Sequence, residues 1–263
     1  MSRGRNVKLT KGVLVTIEML EGARLFVVVP AYNEERLLAA TLSSVPGFVD
    51  QIIVVDDASR DRTSEVASTF ATERVRVVRH PVNRGVGASI ATGYRLALRS
   101  GADAIAVMAG DAQMDPDDLL RLALPVVRGQ VDYAKGNRLG HPDVRRLMPR
   151  SRRVAGRALS LLTRRAAGLL ALSDSQCGYT VIAASAADRL DLDALYPRYG
   201  YPNDLLGMLA LSGCSIRDVP VRPVYGDESS GVRPWHVAVI FGLLARTAWR
   251  RKTTRRELLA VRA

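Results

Sequence analysis

The chain has 263 residues, 48% of them hydrophobic, which is enough to bury a substantial core and excludes disordered and fibrous proteins. Its formal net charge of +12 predicts a polyanionic partner such as an anionic lipid or a phosphorylated small molecule. Nucleic acid is the weaker candidate, because aromatic residues make up only 5% of the chain and offer no stacking platform. The two cysteines, Cys177 and Cys214, lack the spacing of a disulfide framework or a zinc site and predict reduced thiols in the cytoplasm.

Four short apolar runs in the first half of the chain predict buried strands, and each is followed by a segment with helical character. The strands are expected at 25–29, 52–56, 75–79 and 104–108, and the helices from about Asn33, Asp61, Gly87 and Pro116. Strands buried on both faces read as continuous apolar runs, so this alternation indicates an α/β fold, a mostly parallel sheet flanked by helices. The second half is more mixed and predicts, in order, a helix around 151–172, a strand near 178–183, a helix from Asn203 and a strand near 216–224.

The two ends of the chain differ in composition from its middle. Residues 1–23 are basic and carry Glu18 and Glu21 where a signal peptide would be apolar, so we interpret them as an N-terminal extension. Residues 24–235 then form the main domain. Residues 236–263 begin with apolar residues and end in a basic cluster, but no run reaches the ~18 apolar residues that cross a bilayer. This pattern predicts an amphipathic basic helix on a membrane surface, or alternatively a helix packed on the core.

Polar clusters follow the predicted strands, at the sheet edge where ligands collect in open parallel sheets. One cluster places four aspartates within eight positions, from Asp111 to Asp118. The sequence Asp115-Pro116-Asp117-Asp118 is typical of a helix start, with Asp115 as the N-cap and the following acids near the positive end of the helix dipole. Asp111 precedes this cap and directly follows the strand, which favours either a metal ligand or a loop acid bonded to backbone amides.

Asp56 and Asp57 end the second strand, where adjacent carboxylates are suited to a base N–H group or a ribose hydroxyl. Beyond the third strand, glycines allow close backbone approach and Arg84 is suited to a diphosphate. This turn has neither the Walker spacing nor the dinucleotide-binding fingerprint.

Five ordered segments together resemble the inverting glycosyltransferase family 2, especially its members that load a sugar onto a polyprenyl (dolichyl-type) phosphate. They are VVVPAYNEE, IIVVDDASRDRTSEVA, HPVNRGVGASIATGYRLA, VMAGDAQMDPDDL and YAKGNR, and the resemblance extends over about residues 24–235. It implies a GT-A (Rossmann-like) fold, a nucleotide-sugar donor such as a UDP- or GDP-sugar, and a divalent cation, Mg²⁺ or Mn²⁺.

The resemblance also implies roles for individual residues on the donor side. Asp111 and Gln113 match the metal-binding positions, and Ala109 stands where many members carry a first aspartate, which implies that water and the diphosphate complete the coordination. The implied donor pocket consists of Pro30, Ala31, Tyr32, Glu34, Asp56, Asp57, Arg84, Gly85, Asp111, Ala112 and Gln113.

On the acceptor side, the resemblance implies that Arg138 and Arg153 bind the acceptor phosphate, a task that suits the guanidinium fork. Asp174, in the segment DSQCGYTVI, is the candidate catalytic carboxylate or sugar-orienting acid, with Asp204 as the second choice of base. The alternative for each is a helix cap or a loop acid. A lipid phosphate is already ionised at neutral pH, so no strong general base is required.

We therefore predict a metal-dependent inverting transferase that moves a hexose from a nucleotide sugar to polyprenyl phosphate. The expected location is the cytoplasmic face of the cell membrane, with peripheral attachment. The alternative within the same family is a hydroxyl acceptor, either a glycan or a small molecule, which would need deprotonation by Asp174 or Asp204.

Overall fold

The computed structural model describes residues 22–169, 171–225 and 234–260. The predicted N-terminal extension therefore lies almost wholly outside the described residues. Seven strands form one sheet: β1 Leu25–Ala31, β2 Gln51–Asp56, β3 Val75–Arg79, β4 Ala104–Val107, β5 Tyr133–Asn137, β6 Thr180–Ala183 and β7 Ile216–Pro220. The helices are α1 Leu38–Ser44, α2 Thr63–Thr69, α3 Val86–Arg99, α4 Leu119–Val127, α5 Val144–Leu147, α6 Arg150–Ala167, α7 Ala184–Asp188, α8 Tyr201–Leu211 and α9 Pro234–Ala260.

The order of strands across the sheet is β3-β2-β1-β4-β6-β5-β7. Strands β1 to β4 are mutually parallel where they pair, β6 is antiparallel to both of its neighbours, and β5 is parallel to β7. Because only β6 is reversed, the loops that leave the other six strands and the loop that enters β6 meet at one edge. The mixed, mostly parallel sheet flanked by helices is the predicted fold class.

The hydrophobic core lies on both faces of the sheet, which explains the continuous apolar runs. In β1, Val27 and Val29 face the layer that includes α1 and α4, whereas Phe26 and Val28 face the layer of α3 and α8. All four side chains are fully buried. Successive side chains of β1 therefore pack into the core on opposite faces of the sheet, and no position in β1 is left for a polar residue.

The six predicted strands agree closely with observed ones, whereas β5 Tyr133–Asn137 was not predicted. The differences at helix ends have local causes. Helix α1 begins at Leu38 rather than near Asn33, because Asn33 has a φ of 57°, outside the right-handed helical region. Helix α6 ends at Ala167 rather than near 172, because Gly168 has a φ of 71° and closes the helix as a left-handed C-cap. Pro116 begins a short 3₁₀ turn, Pro116–Asp118, that leads into α4.

The predicted C-terminal helix is present and packs on α6 and α8. Its buried residues recur at helical spacing and are Ile240, Leu243, Leu244 and Thr247. Part of the helix therefore packs on the core, as the alternative reading expected. Its exposed side chains include Phe241 and Trp249, which are 51% and 66% exposed. No helix within the described ranges is both long enough and apolar enough to span a bilayer.

The packing of α3 on β1 generates a stability prediction, because a Cβ at Gly93 would lie 2.2 Å from Val28 Cγ1. We expect Gly93→Ala to lower the free energy of unfolding by about 1–3 kcal/mol through overpacking. Gly242→Ala is the matched control, since nothing lies within 4 Å of a Cβ built there and alanine favours an exposed helix. Urea unfolding of the variants measures both changes. A Gly93→Ala protein that unfolds at the wild-type urea concentration would contradict this packing.

Candidate functional site

The end of β1 lies at the centre of the edge where the predicted clusters meet. The carbonyl oxygen of Ala31 accepts a hydrogen bond from the Asp57 amide at 2.9 Å, and that of Pro30 accepts from the Gly110 amide at 3.1 Å. The clusters after β1, β2 and β4 are therefore adjacent, as predicted. Tyr32 follows this strand end and is 42% exposed to solvent.

Asp57 is buried and its carboxylate is bonded to protein. Its Oδ1 lies 2.7 Å from His80 Nδ1 and accepts from the Arg84 amide at 2.9 Å, and its Oδ2 accepts from the Gly85 amide at 2.6 Å. Asp57 thus holds the turn that precedes α3. A direct contact between Asp57 and a base or ribose stays a prediction. His80 orients Asp57, and its Nε2 lies 3.0 Å from Thr92 Oγ1.

Asp56 organises the loop after β2. It is fully buried, accepts a hydrogen bond from the Ser59 amide at 3.0 Å and one from the Ser64 hydroxyl, and lies 3.5 Å from Arg79 Nε. Ser59 Oγ in turn accepts from the Asn33 amide at 3.0 Å. These contacts join the loops that follow β1 and β2, and a direct contact between Asp56 and a donor stays a prediction.

The PAYNEE segment is fastened to the loop before α2. The Glu34 amide donates to Thr63 Oγ1 at 2.7 Å, and Asn33 Oδ1 accepts from the Arg60 amide at 2.8 Å. The side chain of Asn33 therefore bridges two loops instead of capping a helix.

The four aspartates between Asp111 and Asp118 separate into two groups. Asp115 caps the turn as predicted, because its Oδ1 accepts from the Asp117 amide at 3.1 Å. Asp118 is buried, and it accepts from the Arg222 amide and from Arg121, each at 2.6 Å, which fastens the segment after β7. Asp111 stands apart from this helix start.

Asp111 is half-buried, and its Oδ1 accepts a hydrogen bond from the Gln113 amide at 3.1 Å. The intervening Ala112 has a φ of 54°, and its amide donates to Thr41 Oγ1 at 3.0 Å, which ties this turn to α1. Within the described ranges no three His, Cys, Asp or Glu side chains gather as a metal site. The oxygen donors of Asp111 and Gln113 fit a hard cation of the Mg²⁺ type, which binds through one or two carboxylates and takes other ligands from phosphates and water.

An ion pair between a partly buried arginine and a buried aspartate lies at the end of β5. Arg138 follows β5, and its Nε and Nη2 donate to Asp174 Oδ2 and Oδ1 at 2.8 and 3.1 Å. The Arg138 and Gln176 amides also donate to this carboxylate, each at 3.2 Å. Burial alone would raise the pKa of Asp174, but Arg138 and, to a smaller extent, Lys135 hold it below the ordinary value of 3.8. Asp174 is 1% exposed, and its contacts indicate that it holds Arg138 in place. A catalytic role for Asp174 stays a prediction.

Lys135 is a buried cation beneath this pair that sequence analysis did not single out. It is fully buried and its Nζ donates to the Cys177 carbonyl at 2.5 Å. Burial lowers the pKa of Lys135, although Cys177, Asp174 and Asp218 oppose that shift. Asp218 is its register partner on β7, and burial raises the pKa of this acid.

Arg153 and Asp204 have partners outside the Arg138–Asp174 pair. Arg153 lies on α6 and donates to the Val144 carbonyl at 3.4 Å. Asp204 is buried, accepts from the Tyr196 amide at 2.8 Å and pairs with Arg246 of α9. Asp204 therefore fastens the C-terminal helix to the domain.

Comparison with known proteins gives one family and several relatives. The profile of the family described as Glycosyl transferase family 2 matches residues 26–190. The undecaprenyl-phosphate mannosyltransferase of Micrococcus luteus is 34% identical over 203 residues, which cover 75% of this chain and 82% of the relative. The UDP-N-acetylglucosamine–dolichyl-phosphate N-acetylglucosaminyltransferase of Methanococcus voltae is 27% identical over 237 residues, 84% of this chain and 94% of the relative.

Solved structures show the same fold. Glucosyl-3-phosphoglycerate synthase from Mycobacterium tuberculosis in complex with UDP matches with a TM-score of 0.65 at 21% identity, over 88% of this chain and 82% of that one. A second crystal structure of that enzyme, with Mn²⁺, UDP and glucosyl-3-phosphoglycerate, matches with the same TM-score at 19% identity, over 88% of this chain and 82% of that one. This likeness confirms the predicted GT-A fold.

The Asp174–Arg138 pair predicts a pH-dependent contribution to stability. Since the pKa of Asp174 is lowered on folding, its stabilisation is complete above about pH 4 and is lost as the pH falls through the lower folded-state value. We expect Asp174→Asn to lower the free energy of unfolding by about 1–3 kcal/mol at pH 7, and by less at pH 3. Denaturant unfolding at both pH values tests this. Asp188→Asn, at an exposed site, is the control, and a deficit that stays constant with pH would contradict the pairing.

Proposed function

This chain belongs to glycosyl transferase family 2, and from that premise we propose that it transfers a hexose, with inversion, from a nucleotide sugar to a polyprenyl phosphate. The observation that carries the proposal is the Arg138–Asp174 pair at the end of β5. Two relatives of this chain have names that specify a dolichyl or undecaprenyl phosphate. The names of these relatives and the Arg138 cation both favour a phosphate acceptor.

The geometry of Arg138 suits a phosphate oxygen. A guanidinium has five N–H groups, of which Asp174 engages Nε–H and one on Nη2, and three remain. The Arg138 side chain is 28% exposed, whereas Asp174 lies beneath it at 2%. Burial alone would lower the pKa of Arg138, but Cys177 and Asp174 raise it above its ordinary value. The guanidinium is thus a permanent, oriented cation, which a phosphate group binds well.

The proposed reaction needs no strong general base. An ionised oxygen of the acceptor phosphate attacks C1 of the sugar from the face opposite the leaving group. The bond between C1 and the diphosphate oxygen breaks, and the nucleoside diphosphate leaves with the electron pair. Arg138 holds the attacking phosphate in line, and Asp174 positions Arg138 instead of accepting a proton.

On the donor side, Asp111 and Gln113 would hold a Mg²⁺ or Mn²⁺ ion, which would neutralise the charge of the departing diphosphate. A structural neighbour was crystallised with Mn²⁺ and UDP, which supports this cofactor class. The nucleoside of a UDP- or GDP-sugar would lie along Pro30, Ala31, Tyr32 and Glu34. The turn at Arg84 and Gly85, held by Asp57, and the open turn at Ala112 would approach the diphosphate.

The acceptor class also implies contact with the cytoplasmic face of a membrane. Phe241 and Trp249 are large exposed apolar side chains on α9, and Arg251 and Lys252 are exposed nearby. Aromatic and cationic groups together suit the interface of an anionic bilayer. This favours peripheral attachment through α9.

A hydroxyl acceptor is the second candidate, because the structural neighbour named glucosyl-3-phosphoglycerate synthase shares the fold. Such an acceptor requires a base. Asp174 and Asp204 are both buried and paired with arginines, so neither is positioned to take a proton without breaking an ion pair. We therefore favour the phosphate acceptor.

Replacement of Arg138 separates the two acceptors. We expect Arg138→Ala to lower kcat/KM for polyprenyl phosphate about 100-fold, because it removes charged hydrogen bonds worth about 1.5–3 kcal/mol each. A radiolabelled nucleotide-sugar panel with Mn²⁺ and polyprenyl phosphate measures the product. Arg99→Ala, at an exposed position on α3, is the matched control. No lipid-linked sugar from the wild type with any donor, or undiminished transfer by Arg138→Ala, would refute the proposal.

Membrane attachment through α9 predicts that Phe241→Ala combined with Trp249→Ala weakens binding to anionic vesicles at least about tenfold, since each aromatic group loses its apolar contact. Binding by the wild type should also fall as the salt concentration is raised from about 0.1 M to about 0.5 M, because salt screens the attraction between basic residues and anionic lipids. Vesicle sedimentation measures both. Val82→Ala, at another exposed apolar residue, is the control. Equal binding of wild type and double variant would exclude this surface.

A further inference from the structure

A small cleft lies beside the candidate site, and the proposed transfer has not yet assigned it a role. Its volume is about 220 Å³, and it is lined by Val86, Gln176, Tyr199, Gly200, Tyr201 and Pro202. Pockets for drug-sized ligands measure about 300–1,000 Å³, so this cleft suits a smaller group. Its walls combine aromatic rings with one side-chain amide.

The cleft lies between the two phosphate-binding ends of the site. Val86 follows Gly85, whose amide donates to Asp57 on the donor side, and Gln176 lies two residues after Asp174 on the acceptor side. A Cβ built at Gly178 would lie 3.2 Å from the Tyr201 hydroxyl oxygen and 3.4 Å from Met114 Cε, so this phenol lies beside the residue that follows Gln113. The Gln176 amide and the Arg138 side chain donate to the same carboxylate, that of Asp174. The lining of the cleft therefore connects the loop that carries Asp111 with Arg138.

This wall is held firmly by its neighbours. The Ala88 amide donates to the Pro197 carbonyl at 3.1 Å, and a Cβ at Gly87 would lie 2.2 Å from the Tyr196 carbonyl oxygen. Gly200 has a φ of 112°, and a Cβ there would lie 3.1 Å from Leu243 Cδ1 of α9. The start of α3 and the C-terminal helix thus fix the segment from 196 to 201, and the cleft is preformed.

Gln176 brings a polar side chain to the wall of the cleft. Its amide nitrogen donates to Asn203 Oδ1 and to Ser175 Oγ, each at 3.0 Å, and both partners are buried. These two bonds fix the half-buried side chain. The same amide offers an acceptor oxygen that can receive a hydrogen bond from a ligand hydroxyl.

We propose that this cleft holds the sugar ring during transfer, and that Tyr199 and Gln176 select the sugar. The inference rests on the proposed function. The transferred sugar is the one group that must reach both the leaving diphosphate and the attacking phosphate, since its C1 exchanges one oxygen for the other. An isoprenoid chain lies beyond the acceptor phosphate and does not need to approach Asp111. A pyranose has an apolar face for an aromatic wall and hydroxyl groups that can donate to the amide oxygen of Gln176.

The test compares binding of a nucleotide sugar with that of its nucleoside diphosphate, both with Mn²⁺ and without acceptor. We expect Gln176→Ala and Tyr199→Ala to weaken the nucleotide sugar at least about tenfold, while nucleoside diphosphate binding changes by less than about twofold. Tyr199→Phe should retain most of the sugar affinity. Gln130→Ala, at an exposed glutamine that accepts from Arg217, is the control. Retained nucleoside diphosphate binding shows that each variant is folded.

The outcomes separate this inference from the choice of acceptor. Equal weakening of both ligands, or no weakening of either, overturns the assignment of the cleft. A raised KM for polyprenyl phosphate with unchanged nucleotide-sugar binding overturns it as well, because the cleft would then hold the acceptor. If the wild type transfers no sugar to polyprenyl phosphate but the variants lose nucleotide-sugar affinity selectively, the acceptor proposal fails and the sugar subsite stands.

Discussion

The orientation of Arg138 depends on the burial of one charge. Asp174 is almost completely removed from solvent, and an isolated ionised carboxylate in such a place would be strongly destabilising. Arg138 compensates it through two side-chain hydrogen bonds, with buried Lys135 below. The pair fixes the guanidinium plane in return. Its remaining N–H groups thereby acquire a defined direction, which a flexible surface arginine would lack.

Most carboxylates that suggested chemistry in the sequence serve to fasten loops. Asp57 holds the turn before α3, Asp118 holds the segment after β7, and Asp204 holds the C-terminal helix. These acids are buried because loops at a sheet edge expose amides that need acceptors. Asp111 is the half-buried exception among these acids, at the end of β4.

The sequence predicted six of the seven strands because burial on both faces leaves a direct compositional trace, and it predicted the Asp115 cap because capping is local. It missed β5, whose segment YAKGN contains a lysine, a glycine and an asparagine and is not a continuous apolar run. It could not predict Arg138–Asp174 or Arg246–Asp204, whose partners lie 36 and 42 positions apart, since spacing does not report which loops meet. The start of α1 was predicted too early, because capping preference does not reveal a left-handed Asn33. His80 was overlooked for the same reason as the ion pairs: its partner Asp57 is near only in space.

The central claim is that Arg138, oriented by Asp174, binds the phosphate of the acceptor. The most direct measurement is calorimetric binding of a short water-soluble prenyl phosphate and of the matching prenyl alcohol, in the presence of a nucleoside diphosphate and Mn²⁺. Our account predicts that the wild type binds the phosphate and not the alcohol, and that Arg138→Ala loses this preference while it still binds the nucleoside diphosphate. Equal binding of phosphate and alcohol by the wild type, or an unchanged preference in Arg138→Ala, would contradict it.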